Sequence, residues 1–236
     1  MIHLRKPDWA IQAVAGRFSA AWQTCNAGAP AGFLTIDGER IAVEIAVIAP
    51  RKTAPDSPTR PRLRFDRVAL GFMARLRAGL TDSVPDGQAV VITITAPIWL
   101  ASRTAAAVQE TIRRRLARRV ARLRIEETIN GNEVRARLMR DFSCRASKVV
   151  GFVHNPDSDA KPLFDTAESL LRHIGAAAGT GMRKRFPGDR WLVLACGAGQ
   201  PHLETYRHVY SQLAIPTDFK KVLLVLPGGR VETLAG

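Results

Sequence analysis

The most restrictive feature of the chain is an alternating run, Ile41-Ala42-Val43-Glu44-Ile45-Ala46-Val47-Ile48, entered through Asp37-Gly38. Asp-Gly between two apolar runs is a strong two-residue turn signal, because the favoured hairpin turns need positive φ at their central residues. Phe33 to Ala49 therefore reads as a β-hairpin. Successive strand side chains point to opposite faces. Ile41, Val43, Ile45 and Val47 thus share one face, and Ala42, Glu44, Ala46 and Ile48 the other. Glu44 is a carboxylate flanked by small side chains, which leaves room for something to approach it.

Around this hairpin the pattern switches between helical and strand periods. Asp8 to Cys25 reads as a helix, with Ile11, Val14, Phe18, Trp22 and Cys25 at three- and four-residue steps. Pro50 to Arg64 is a basic, proline-rich loop. A helix is expected from Asp66 to Leu80 and a buried strand from Ala89 to Thr95. Ser102 is placed to cap a long helix reaching Ile125, with Ala105, Val108, Ile112, Leu116, Val120 and Leu123 on one face. Asn130-Gly131 is a turn, and Glu133 to Arg140 alternates. Strands at Lys148–Val153, Trp191–Cys196, Lys221–Leu226 and Arg230–Leu234 alternate with helices at Phe164–Ala178 and His202–Leu213. This succession implies an α/β fold, a mixed central sheet flanked by helices. The proline-rich loop is the one linker candidate, and each side of it looks incomplete alone, so residues 1–236 are read as a single domain. Trp9, Trp22, Trp99 and Trp191 are expected in or beside the core.

The 236 residues carry 35 Lys and Arg against 21 Asp and Glu, a formal charge of +14. Such a field attracts polyanions, and the dominance of arginine suits phosphate, which guanidinium binds through two parallel hydrogen bonds. Nucleic acid is the expected partner. Arg113, Arg114, Arg118 and Arg122 on the long helix, and Arg60, Arg62 and Arg64 in the loop, are the candidate backbone contacts. The alternative is a solvated helix face partly neutralised by Glu110, Glu126 and Glu127. Aromatics are not interleaved with these charges, which disfavours a base-stacking platform. No secretory signal is evident, and no apolar run approaches the ~20 residues that span a bilayer. Cys25, Cys144 and Cys196 are scattered, as in a reduced, cytoplasmic protein without membrane contact.

Asp37 and Glu44 form the most chemical pair. Two carboxylates near one strand can hold Mg²⁺, a hard cation that can activate water against a phosphate. The other reading leaves Asp37 to the turn and Glu44 to a solvated sheet face. The stretch Ile36 to Ala46 resembles the core hairpin of the restriction-endonuclease-like superfamily, named for its PD-(D/E)XK motif. Arg190-Trp191-Leu192-Val193-Leu194, the following helix, and Phe219 to Val225 with Gly229-Arg230-Val231 are similar to its closing segment. The resemblance leaves the middle of the chain unassigned. It implies a restriction-endonuclease-like fold, with Asp37 and Glu44 as ligands of Mg²⁺ and metal-dependent phosphodiester hydrolysis. The chain departs from the motif at Ala46, where a lysine normally stands two residues after the acid. Lys184 is the candidate to supply that cation from elsewhere. Ala46 also motivates an alternative: a catalytically inactive nuclease-fold module that binds nucleic acid or protein.

Other constellations carry less. Gly197-Ala198-Gly199 lacks the third glycine of a dinucleotide turn. His154, Asp157 and Asp159 share a polar loop without a calcium-loop pattern. No Gly-x-Ser-x-Gly elbow is present.

Overall fold

The computed structural model describes residues 8–25, 30–48, 62–118, 123–140, 147–178, 186, 188–197, 203–215 and 218–236. Ten strands and five helices are described. They run α1 (Asp8–Arg17), β1 (Ala21–Thr24), β2 (Gly32–Ile36), β3 (Glu39–Ile48), α2 (Arg67–Leu80), β4 (Ala89–Thr95), α3 (Ala101–Ala117), β5 (Arg124–Ile129) and β6 (Asn132–Met139). Then follow β7 (Val149–His154), α4 (Lys161–Ala178), β8 (Arg190–Cys196), α5 (Leu203–Leu213), β9 (Lys221–Val225) and β10 (Val231–Ala235). The residues group into two compact units. Unit 1 comprises Met1–Thr53, Ser169–Arg207 and Pro216–Gly236; unit 2 comprises Ala54–Glu168 and His208–Ile215. The mixed α/β class expected from the sequence is observed, but the strands form two mixed sheets flanked by helices in place of one central sheet. Among the described residues no helix is long and apolar enough to cross a membrane.

Unit 1 is built on a six-stranded sheet in the order β1-β2-β3-β8-β9-β10. The hairpin forms where expected. Asp37 and Gly38 both take positive φ, 50° and 82°, and Ile36 pairs with Glu39. β3 then runs parallel to β8, with Ala42 opposite Arg190 and Glu44 opposite Leu192. β8 is parallel to β9, and β10 returns antiparallel with an irregular register between Thr233 and Ala235. Ile41, Val43 and Ile45 face α1, where they meet Ala10, Ile11 and Val14. Gly32 is buried where β2 passes close under β1: a Cβ there would lie 2.4 Å from the Gln23 carbonyl oxygen and 2.4 Å from the Trp22 ring.

Unit 2 holds a four-stranded sheet, β5-β6-β4-β7, with β4 antiparallel to β6 and parallel to β7. Helices α2 and α3 cover one face, burying Phe72, Leu76, Val108 and Ile112 against Val90, Ile92 and Val134. Asp66 caps α2, accepting from the Val68 and Ala69 amides at 3.1 and 3.0 Å, which satisfies two of the orphan donors of its first turn. The Asn130-Gly131 turn joins β5 to β6 with φ of 49° and 79°. Behind it, fully buried Asn132 accepts from the Trp99 amide at 2.8 Å and donates to the Trp99 carbonyl at 3.0 Å.

Three expectations are corrected. Helix α1 ends at Arg17, and Ser19 takes φ 49° before β1 begins. Phe18 and Trp22 nonetheless pack on the same core, which is why the apolar spacing ran on past the helix end. Helix α3 likewise stops at Ala117, and Arg124 to Ile129 is a strand. Leu123 and Ile125 bury into the core already contacted by Val108 and Ile112, so one apolar stripe covers two kinds of backbone. Trp9 and Trp99 are exposed, at 40% and 60%, rather than in the core.

The Gly32 contacts are with backbone and a rigid ring, so they cannot relax cheaply. Gly32→Ala is expected to destabilise the chain by about 1–3 kcal/mol. Gly71→Ala, on an exposed turn of α2 with nothing within 4 Å, is expected to stabilise by about 0.5–1 kcal/mol. Urea unfolding of the two variants beside the parent checks both signs.

Candidate functional site

The residue that the sequence marked for chemistry, Glu44, is 7% exposed. It lies on the face of unit 1's sheet opposite α1, as the alternation requires. Its carboxylate is therefore neither solvated nor open. It accepts a hydrogen bond from Nη2 of Arg190, a side chain only 4% exposed. The other terminal nitrogen of Arg190, Nη1, donates to Asp218. Arg190 opens β8 and sits opposite Ala42, so it is two positions along and on the same face as Glu44. Asp218 lies just before β9. Phe219, next to it, places its ring 4.7 Å from the Arg190 guanidinium carbon. One buried cation is thus shared by two carboxylates from neighbouring segments of the sheet. Beside it, Asp189 accepts from Lys220, and this hydrogen bond pushes the Lys220 pKa up.

Asp37 does not reach this cluster. It stays at the exposed turn of the hairpin. Five residues of extended strand separate Glu39 from Glu44, roughly 16 Å at about 3.3 Å per residue. Ligands of one Mg²⁺ sit ~2.1 Å from it, so the two carboxylates cannot share an ion. Across the hairpin, Gly32 pairs with Val43 and the Ala31 amide donates to Val43, so no second acid faces Glu44 from β2. Among the described residues no group of three or more His, Cys, Asp or Glu is arranged to hold a metal ion. The donor set does not fit the expected Mg²⁺ site. Lys184 lies outside the described residues.

The candidate nucleic-acid contacts are spread over unit 2. Arg60 and Arg122 lie outside the described residues. Arg62 pairs with Asp157 at 3.3 Å and Arg64 with Asp66 at 3.1 Å. On α3, Arg114 pairs with Glu110 at 3.4 Å, while Arg113 donates to the Gly79 carbonyl near the end of α2. Arg118 follows the last turn of α3 and is exposed. The neighbouring Arg115 and Arg124 pair with Glu127 and Glu126. The Arg124 hydrogen bond holds the Glu126 carboxyl below its ordinary range. The three glutamates weighed against the arginine cluster are therefore each engaged with one of its members.

Two further groups were within reach of sequence reasoning. His154 is buried, its Nδ1 donating to the Asn155 carbonyl at 2.9 Å, and Asp159 instead receives the Lys161 amide at the start of α4. The Cys196 thiol is buried and pushed up to about 11 by desolvation, which makes it inert as a nucleophile near neutral pH. Arg190 and Asp218 were not singled out from the sequence. The available signal was a charged residue heading an otherwise apolar strand, Arg190 before Trp191-Leu192-Val193, in a chain with an acid midway along another.

No family model, curated protein or solved structure matches this chain.

Removing the shared guanidinium strands the buried Glu44 carboxylate. Arg190→Met is expected to cost about 3–5 kcal/mol. The double variant Glu44→Leu with Arg190→Met is expected to recover most of that loss, since apolar replacement of a buried pair is often neutral. A urea-unfolding double-mutant cycle reads the difference.

Acid is expected to weaken the fold. Burial holds the pKa values of His154 and His173 below the ordinary histidine range. The unfolded chain therefore takes up protons at about pH 6.5, before the folded chain does, so stability falls as pH drops through that value. His154→Gln should flatten part of the slope between pH 7 and 5, as measured by chemical unfolding.

Proposed function

We propose that this chain is a nucleic-acid-binding module on a restriction-endonuclease-like fold that does not cleave its ligand. The observation that carries this reading is the bond from Arg190 to Glu44. The Glu44 carboxylate is committed to a buried guanidinium, and a metal arriving there would meet that fixed positive charge at close range. Ala46 removes the usual lysine, and Asp37 stands too far away to replace the missing partner. Support for the fold comes from the way the chain divides. The hairpin and the closing segment, the two stretches that carry the resemblance, lie in one sheet of unit 1 with β3 parallel to β8. Most of the middle stretch, which carries none, belongs to unit 2.

The binding half of the reading rests on the charge of +14 and on arginines that are either without a carboxylate partner or held in exposed pairs. Arg113 spends a donor on a neutral carbonyl and keeps its charge. Arg62, Arg64 and Arg114 are in exposed ion pairs that water and salt screen, so a phosphate can replace the carboxylate at small cost.

The test uses labelled single- and double-stranded DNA and RNA with Mg²⁺, Mn²⁺ or chelator. Binding is expected to weaken steeply with salt, and no ligand is cut under any condition. Arg113→Ala and Arg118→Ala should each lower the log–log salt slope by about one. Metal-dependent cutting that disappears in Glu44→Ala would overturn the non-cleaving assignment. An affinity insensitive to salt would remove nucleic acid as the partner.

A further inference from the structure

Unit 2 contains a cavity of about 330 Å³ between α2, β7 and the His208–Ile215 segment. That volume lies at the lower end of the range of small-molecule sites. Its lining is divided chemically. Leu70, Met73, Phe152 and Val153 supply apolar wall, and Phe65, 45% exposed, also lines it. Two arginines, Arg64 and Arg77, complete it.

The two arginines differ in what they already hold. Arg64 is neutralised by Asp66. Arg77 donates from Nε to the Val149 carbonyl at 3.4 Å and from Nη2 to the Gln212 side-chain oxygen at 2.8 Å, both neutral acceptors. Among the described residues no carboxylate pairs with it, and its Nη1 has no hydrogen-bond partner. The Val149 and Gln212 bonds fix the guanidinium without cancelling its charge. A partly buried cation beside apolar wall, oriented but uncompensated, favours an anion, and a charge-assisted hydrogen bond is about twice as strong as a neutral one.

We propose that this cavity is a binding site for a small organic anion with an apolar body and a single carboxylate head, the head on Arg77 and the body against Leu70 and Met73. The site is separate from Glu44 and Arg190 and does not depend on the nucleic-acid reading.

Isothermal titration of the full chain with octanoate, octanol and octylammonium tests it, since the three share a body and differ in head. Octanoate is expected to bind one per chain, roughly 10- to 100-fold more tightly than octanol, with octylammonium weakest. Arg77→Met should bring octanoate down to the level of octanol. Ser211→Trp, a substitution at an exposed lining position, should abolish binding of all three by filling the mouth. Thermal melting establishes that each variant is folded. If Arg77→Met does not fold, the ranking of the three heads on the parent chain and its loss in Ser211→Trp decide the matter. The proposal is overturned if none of the probes binds, if octanoate binds no more tightly than octanol, if folded Arg77→Met keeps the preference, or if folded Ser211→Trp still binds octanoate.

Discussion

One guanidinium organises the centre of unit 1. Arg190 is held by Glu44 on one side and by Asp218 on the other, so β3, β8 and the approach to β9 are tied through a single buried cation. Placing two charges, Glu44 and Arg190, in a sheet interior is costly, and such clusters are weak evidence for stability in themselves. Their selectivity is a different matter. A one-residue slip of β8 against β3 would turn Arg190 to the face lined by Val43 and Ile45, where no carboxylate waits. The charge cluster therefore penalises wrong registers more than it rewards the right one. Parallel pairs gain from this, because they lack the short turn that fixes the register of a hairpin.

The same cluster occupies the carboxylate that the sequence marked for chemistry. A buried acid midway along a strand, with small residues on each side, is a plausible metal ligand when only the sequence is considered. In the fold Arg190 stands opposite Ala42 and reaches Glu44 from there. The small neighbours that seemed to leave room for a substrate leave room for an internal partner.

What could be read in advance follows from how local the determining physics is. The Asp37-Gly38 and Asn130-Gly131 turns and the alternation of β3 are settled within a few residues, and all were legible. The ends of α1 and α3 were not. Residues after each helix end continue the helical apolar spacing, because Trp22 and Leu123 fill the same cores from non-helical backbone. The partner of Glu44 was also hidden, since Arg190 is brought to it by a parallel pairing between distant segments. Pairing of that kind leaves no local trace in composition or period. The arginine stripe was visible, as was Glu110 one turn from Arg114, but the pairs made by Glu126 and Glu127 depend on β5 replacing the end of the expected helix.

Each of the four outer strands bears a feature that blunts it as a template for another chain. β1 has only four residues, and β10 breaks register between Thr233 and Ala235. β5 carries Arg124, Glu126 and Glu127 along its length. β7 is partly covered by the Leu63 bridge and by the Arg64 amide bonded to Val153. Short length, irregular register, charge and cover are the devices by which open sheets avoid edge-to-edge aggregation. Two open sheets with long apolar central strands thus end in outer strands that offer a second chain little regular edge to extend.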